Sequence, residues 1–172
     1  MKINITQDDI TTALRVFLMS LFDCEIITAN DNNVAMPVGQ FIVMSPLFSA
    51  STSTSIVNYS VTSRAGEGEQ HIKRSIKWTC QLDFYGQLAS DMANTVFAVW
   101  PTEYACSLLR FNGGVLSPLY CSEPRNVTMI NAEKNYETRW AIDVTGQINP
   151  TVTTPMLFFN NVCLKLKNVE SI

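Results

Sequence analysis

The sequence predicts an α+β fold in which two main helices pack on one face of a mostly antiparallel sheet. Apolar residues recur at helical spacing in 7–22 and in 88–100, so each segment would bury one broad face. Apolar and polar residues alternate in 76–85 and 136–147, as in strands with one buried side. The strands are grouped and do not alternate strictly with helices, which favours α+β over a parallel α/β fold.

The first helix has a clear start. Thr6 can cap it, and Asp8 and Asp9 suit the positive N-terminal end of a helix. A strand is predicted at 41–44. Pro46 should place that strand at a sheet edge or end it, because proline cannot donate to a ladder.

An antiparallel hairpin is predicted from 56–63 and 76–85, since both alternate and a polar, glycine-bearing segment separates them. Its tip, 64–75, is predicted to reach a neighbouring subunit, with 65–70 as a mobile turn. The Ser/Thr-rich stretch 49–55 suits either a flexible loop or an extended edge.

The strand 136–147 is predicted to be central. Asn149-Pro150 should end it, because proline has no N–H for the ladder and restricts the preceding residue. The tail, 151–172, suits either a last strand or a segment docked on a neighbour. Shorter elements are predicted in three further places, a helical turn at 102–109 and strands at 115–120 and 127–130.

The composition indicates a single domain over 1–172. Apolar residues make up 47% and aromatic residues 10%, enough for a substantial core. Charged residues are only 16%, below the ~25% of an average soluble protein, which suits either a surface buried against partners or one rich in Ser, Thr and Asn. The net charge of −3 and the lack of a basic cluster argue against tight nucleic-acid binding.

No arrangement typical of catalysis or cofactor binding is recognised, so no catalytic residue, cofactor or metal is predicted. His71, the only histidine, is expected to be solvated at the hairpin tip. Asp83 and Asp143 are expected on polar strand faces, in solvent or at an interface. The tryptophans Trp78, Trp100 and Trp140 are expected in the core.

Five scattered cysteines form no C-x-x-C pair, which predicts free thiols in a reducing compartment. No apolar run reaches the ~18 residues of a membrane span, and no signal peptide is recognised. A soluble protein without membrane contact is therefore expected.

Six blocks of the sequence resemble, in the same order, the phage neck and tail-terminator proteins of tailed bacteriophages and prophages. The resemblance covers roughly residues 7–160, and the order of the blocks makes it specific. The blocks are Met36–Leu47, Gln81–Gly86, Pro118–Pro124, Ile130–Glu133, Tyr136–Trp140 and Gln147–Pro150.

The resemblance implies a tail-terminator-like fold and a structural role without enzymatic activity. Such proteins cap the last ring of the tail tube and stop its polymerisation, usually as a hexameric ring around the DNA channel. The implied partners are further copies of the chain, the tail tube protein, the head-completion or connector protein, and the sheath. DNA would pass without specific binding. The implied location is the neck of the virion tail, and the host cytoplasm during assembly.

Interface residues are predicted in the hairpin tip, in the stretch before the central strand and in the tail. Glu133, Glu137 and Arg139 are expected to cluster, as a buried, inter-subunit or plain surface ion pair. Deleting 65–70 is expected to weaken assembly and to leave the fold intact. The predicted interface residues are Arg64, Glu67, Glu69, His71, Glu133, Glu137, Arg139, Phe158 and Phe159.

Two alternatives come from other classes of protein. One is another tail component, such as a tube or baseplate subunit. The other is a small α+β enzyme or ligand-binding domain with an apolar pocket, which would be a stable monomer that binds a metabolite.

Overall fold

The computed structural model describes residues 1–29, 37–64, 66–130 and 136–159 of the chain. Their arrangement confirms the predicted α+β class with mostly antiparallel sheets. The helices are α1 (Gln7–Leu21), α2 (Ala89–Val99) and α3 (Glu103–Phe111). The strands are β1 (Lys2–Ile3), β2 (Glu25–Thr28), β3 (Phe41–Ser51), β4 (Ile56–Val61), β5 (Glu67–Lys73), β6 (Ile76–Tyr85), β7 (Ser117–Cys121), β8 (Arg125–Asn126), β9 (Met129–Ile130), β10 (Tyr136–Glu137), β11 (Arg139–Ile148) and β12 (Thr151–Leu157).

A six-stranded large sheet has the strand order β2-β3-β6-β11-β7, with β8 also paired to β11. Its centre is the β6–β11 pair, which runs antiparallel from Tyr85 opposite Arg139 to Ile76 opposite Ile148. The predicted central strand therefore lies inside the sheet, and it ends before Asn149-Pro150 as expected.

All three helices contribute to one core against one face of the large sheet. On β6 and β11, the residues that point to the helices occupy alternate positions, as the period-two pattern requires. Trp100 follows α2 and is fully buried, with its indole N–H donating to the Thr145 carbonyl at 3.0 Å and its ring edge-on to Phe17. Trp78 is buried as predicted, whereas Trp140 is only half-buried.

The start of α1 follows the sequence closely. The Thr6 hydroxyl accepts from the Asp9 N–H at 3.2 Å, and the Asp9 carboxylate accepts from the Thr6 N–H at 2.7 Å. This capping box satisfies two backbone donors that a helix start leaves without partners. The hydrogen bonds from Thr6 lower the pKa of Asp9.

A four-stranded small sheet has the order β1-β12-β5-β4. Three of its strands directly continue strands of the large sheet: β3 leads into β4, β5 into β6, and β11 into β12. The connections are short, at 52–55, 74–75 and 149–150. The Ser75 hydroxyl donates to the Asn149 side chain at 2.9 Å across two of them. No side chain of the small sheet belongs to the described buried core.

The predicted hairpin is wrong in its partner. Strand β4 pairs with β5, and β6 pairs with β3 and β11. The segment 67–73 is therefore a strand and not part of a long tip, and the turn lies between Val61 and Glu67. Glycines and charges at 64–70 indicated a turn, but cross-strand partners on both sides hold most of that segment extended.

The expectation for Pro46 is wrong for the strand end and right for the sheet edge. Strand β3 continues to Ser51, but β2 pairs only with Phe41–Met44, so among the described residues β3 pairs at Pro46 with β6 alone. The register shifts between Pro46 and Phe48. A β-bulge accommodates the missing N–H without ending the strand. The predicted helical turn 102–109 is a full helix, α3, and 127–130 contributes only the two-residue β9.

Candidate interaction surfaces

The face of the large sheet opposite the helices carries a buried ion pair. Asp83 is only 3% exposed. Its carboxylate accepts from the Arg139 guanidinium at 3.0 and 3.1 Å and from the Gln81 amide at 2.9 and 3.0 Å. The prediction for Asp83 offered two positions, in solvent or at an interface. The solvent-exposed position is wrong, because Asp83 is buried and paired with Arg139 of the neighbouring strand.

A second ion pair lies on the same face. Arg125 of β8 approaches the Asp143 carboxylate to 2.9 Å. The other oxygen of Asp143 is buried and has no partner among the described atoms. Asp83 and Asp143 thus each have their own arginine, and the charges within each pair cancel.

Next to these pairs lies an open groove of about 300 Å³. Its rim includes the exposed aromatic rings of Phe48 and Tyr120. Lys77 spans one side, with its ammonium 3.2 Å from the Tyr120 hydroxyl. The groove is shallow and mixed in polarity, so it suits contact with a protein surface better than enclosure of a small ligand.

A stacked aromatic pair lies on the large sheet where β3 begins and β6 ends. The rings of Phe41 and Tyr85 stack with centroids 4.4 Å apart, and the Arg139 guanidinium lies 5.6 Å from the centre of the Tyr85 ring. Burial raises the pKa of the Tyr85 phenol, and the positive charge of Arg139 offsets part of that rise. Tyr85 therefore acts as a neutral packing and stacking group.

The small sheet has one apolar and one polar face, and helices cover neither face in the described part of the chain. Val57, Tyr59 and Val61 on the apolar face are 40%, 56% and 75% exposed. Opposite them in the ladder are Ile72, Gln70 and Gly68. Exposed apolar area of this kind commonly marks a protein-protein contact.

The polar face of the small sheet contains His71, which lies within β5 and not at a hairpin tip. Its ring nitrogens are 2.7 Å from the Ser60 hydroxyl and 3.1 Å from the Thr153 hydroxyl. A catalytic serine would need a carboxylate at the far nitrogen of the histidine, and here that position faces Thr153. The expectation that His71 is freely solvated is therefore wrong. The ring is half-buried, and it connects β5 to β4 through Ser60 and to β12 through Thr153.

Four other predicted interface residues, Arg64, Glu67, Glu69 and Phe158, lie at or near the turn between β4 and β5. Arg64 and Glu67 form an exposed pair at 3.8 Å, and Glu69 lies on the same polar face as His71. Phe158 packs on its own sheet, over Gly68 and edge-on to Tyr59 with centroids 6.3 Å apart.

Other predicted interface residues are more dispersed. Phe159 is 93% exposed. Glu137 lies in β10 and pairs with Met129 of β9, while Arg139 binds Asp83, so the two do not share the predicted ion pair. Glu133 lies outside the described residues. The structure therefore brings Glu67, Glu69 and His71 together on one face, with Arg64 paired to Glu67, whereas Glu137 and Arg139 belong to other sheets.

The described cysteines are free thiols. Burial raises the pKa of Cys80 to about 12 and also raises those of Cys24 and Cys121. The thiolate is the reactive form, so these thiols are poor nucleophiles at neutral pH. Cys163 lies outside the described residues.

Two kinds of feature are absent from the described residues. Within the four described ranges, no group of three or more His, Cys, Asp or Glu side chains has the geometry of a metal site. The helices that the structure describes include none with the length and apolar character of a membrane span.

Sequence reasoning missed the two features that matter most on these surfaces. The Asp83–Arg139 pair joins residues far apart in the chain, and only the register of β6 and β11 brings them together. The apolar alternation of Val57, Tyr59 and Val61 was visible in the sequence. Without knowledge of the helix positions, it could not be recognised as uncovered.

These surfaces fit a protein that works by contact with other proteins. The family model described as phage neck terminator protein matches residues 8–168 of the chain. No curated protein matches the chain. The family match confirms the resemblance read from the six sequence blocks. It indicates a structural protein of the phage neck, in the tail part of the virion, that contacts other tail and head components. The chain belongs to the phage neck terminator protein family.

Proposed function

We propose that this protein caps the head-proximal end of the tail tube, ends tube polymerisation and presents the surface on which the head-completion or connector protein docks. The observation that carries the proposal is the exposed apolar face of the small sheet, with Val57, Tyr59 and Val61 open to solvent. A protein that acts alone would gain stability by covering such a face. Membership of the neck terminator family supports this reading.

The proposed active form is a ring of identical subunits, with six as the expected number. A closed ring is built from heterologous contacts, so each subunit must offer two different surfaces to its neighbours. The uncovered face of the large sheet and the small sheet supply two such surfaces. The nine predicted interface residues remain proposals within this ring.

DNA is proposed to pass through the ring without specific binding. The chain carries a net charge of −3. A weakly acidic channel wall would repel the phosphate backbone and let it slide, whereas a basic wall would hold it. The sheath is a further proposed partner, and assembly is proposed to take place in the host cytoplasm.

Electron microscopy of a phage that lacks this gene tests the capping role. Loss of a terminator should give free heads and headless tails of abnormal length, because nothing ends the growth of the tube. Loss of a tube subunit would give no tube, and loss of a baseplate subunit would prevent normal initiation. Tails of normal length joined to heads would overturn the proposal.

The mass of the purified protein, alone and with the tube protein, tests the ring. The expected result is a ring, or a monomer that forms one when the tube end is added. A protein that stays monomeric and does not bind the tube would contradict both the ring and the capping role.

A further inference from the structure

Among the described strands, the small sheet ends in an edge without a partner. Strand β4 is last in the strand order, and no described residue pairs with its outer side. The Thr62 N–H donates inward to the Glu67 carbonyl at 3.2 Å. Because inward and outward groups alternate in an antiparallel pair, the N–H and C=O groups of Val57, Tyr59 and Val61 point outward. An edge of this kind is a template for another strand.

The side chains of this edge are sorted by face. Val57, Tyr59 and Val61 lie on the apolar face of the small sheet. Asn58 and Ser60 lie on the opposite face together with the exposed Ile56 at the start of the strand, and Ser60 is directly across the ladder from Glu69. An added strand would therefore need apolar residues at alternate positions and, on its other side, groups that suit a polar and acidic surface.

The segment 160–172 lies outside the described residues and has this pattern. It follows Phe159, which is 93% exposed at the end of the small sheet. Val162, Leu164 and Leu166 alternate with Cys163, Lys165 and Lys167. The seven residues 161–167 match the six residues of β4, which span ~20 Å at ~3.3 Å per residue.

We infer that residues 161–167 of one copy add as a strand to the outer edge of β4 in a second copy. Val162, Leu164 and Leu166 would lie beside Val57, Tyr59 and Val61 on the apolar face. In a parallel register, Lys165 would lie beside Ser60 and Lys167 beside Thr62 on the polar face. Glu69 and Glu67 come next across the ladder from Ser60 and Thr62, so the two lysines would extend toward these carboxylates.

A second copy fits better than the same chain. In the small sheet β5 and β4 lie between β12 and the open edge, so the chain after Phe159 must cross about three strand spacings, ~14 Å, to reach its own edge. That crossing uses about four residues at ~3.3 Å each and would consume part of the alternating run. A segment from a neighbour pairs over its whole length.

The inference rests on the proposed ring and deepens it. Each subunit donates one segment and accepts one, so the contact is heterologous and can close into a ring. The added strand would extend the apolar face of the small sheet beyond β4 onto residues of the neighbouring copy.

The test uses two variants of the full chain. The donor variant is Leu164→Lys with Leu166→Lys, and the acceptor variant is Val57→Lys with Val61→Lys. Each should weaken ring formation, in the presence of the tube protein, by about tenfold or more, because each places charges in an apolar contact. Val127→Lys, at another half-exposed valine, is the matched control and should form rings normally.

Mixing the two variants gives the decisive result. Each has one intact half of the contact, so together they should form one-to-one pairs that cannot close. Amide hydrogen exchange at Tyr59 should be slow in wild-type rings and fast in either variant alone. Normal rings from both variants would overturn the inference and leave the proposed function standing.

Two other outcomes separate the alternatives. If removal of 160–172 speeds exchange at Tyr59 in the isolated monomer, the segment covers its own chain and the inference is wrong. If the wild-type chain forms no ring and does not bind the tube protein, the proposed function fails first, and the inference fails with it.

Discussion

Three strands of the small sheet are continuous in the chain with strands of the large sheet, and the two sheets differ in what covers them. Strands β5 and β6 follow each other with two residues between, as do β11 and β12. In the large sheet, Leu82 and Ile142 are opposite each other and fully buried under helices. In the small sheet, Ile72 and Val152 are opposite each other and only half-buried.

The comparison shows that one β-ribbon can provide both a core and a contact surface. Helical cover over one part supplies folding stability through burial of apolar area. The uncovered part leaves comparable side chains available for association. The following predictions test this division, first where the helices cover the sheet.

Replacing Trp100 should give the largest effect. Trp100→Ala removes a fully buried ring and leaves the Thr145 carbonyl without its donor, so the free energy of unfolding should fall by about 3–5 kcal/mol. Denaturant unfolding measures this loss. Phe97→Ala, on the same helix but partly exposed, should cost clearly less. Equal costs would mean that the helix-covered core does not dominate stability.

The buried ion pair should give the next largest effect. Asp83→Ala leaves Arg139 without its carboxylate and should cost about 2–3 kcal/mol, less than a fully buried pair because the Arg139 side chain keeps 25% exposure. Arg125→Ala breaks the more exposed pair and should cost under about 1 kcal/mol. Denaturant unfolding measures the loss of stability in both variants. A larger loss for Arg125→Ala than for Asp83→Ala would show that burial does not determine how much these ion pairs stabilise the fold.

In the small sheet, adding a methyl group at Gly68 should lower stability less than the loss of the Asp83–Arg139 pair does. The Cβ of Gly68→Ala would meet the Phe158 ring and, at 2.6 Å, the backbone carbonyl of Ser60, so both the ring and the backbone of β4 must shift. The expected cost is about 1 kcal/mol, since the end of this sheet holds little buried area. The double variant with Phe158→Ala should cost less than the sum of the two single changes. Strict additivity would show that the ring does not rest on Gly68.

At neutral pH the smallest effect is that of the titration of the Cys80 thiol, because its influence on stability appears only in alkaline solution. Its pKa is raised from 9.0 to about 12 by burial, so the unfolded chain loses this proton first as the pH rises. The unfolded chain then binds fewer protons than the folded one, so the free energy of unfolding falls between pH 9 and 12. Below pH 9, Cys80 adds no pH dependence to the stability. Cys80→Ala should show a shallower loss of stability over that range in denaturant unfolding. An unchanged slope would contradict a protonated buried thiol.

The sequence by itself determined the elements whose pattern is local. The capping box at Thr6, the apolar faces of α1 and α2, and the alternation of β6 and β11 all follow from residues within a few positions of each other. The stop at Asn149-Pro150 and the family resemblance also needed only the order of residues.

The tertiary structure decided which strands pair and which faces are covered. Alternation in 56–61 fitted β6 as well as β5 as a partner, because a period of two does not identify the neighbouring strand. The register of β6 and β11 placed Arg139 beside Asp83, and helix packing on one face left the apolar side of the small sheet open. Strand partners and helical cover depend on contacts between residues distant in sequence. Local sequence patterns do not determine these contacts.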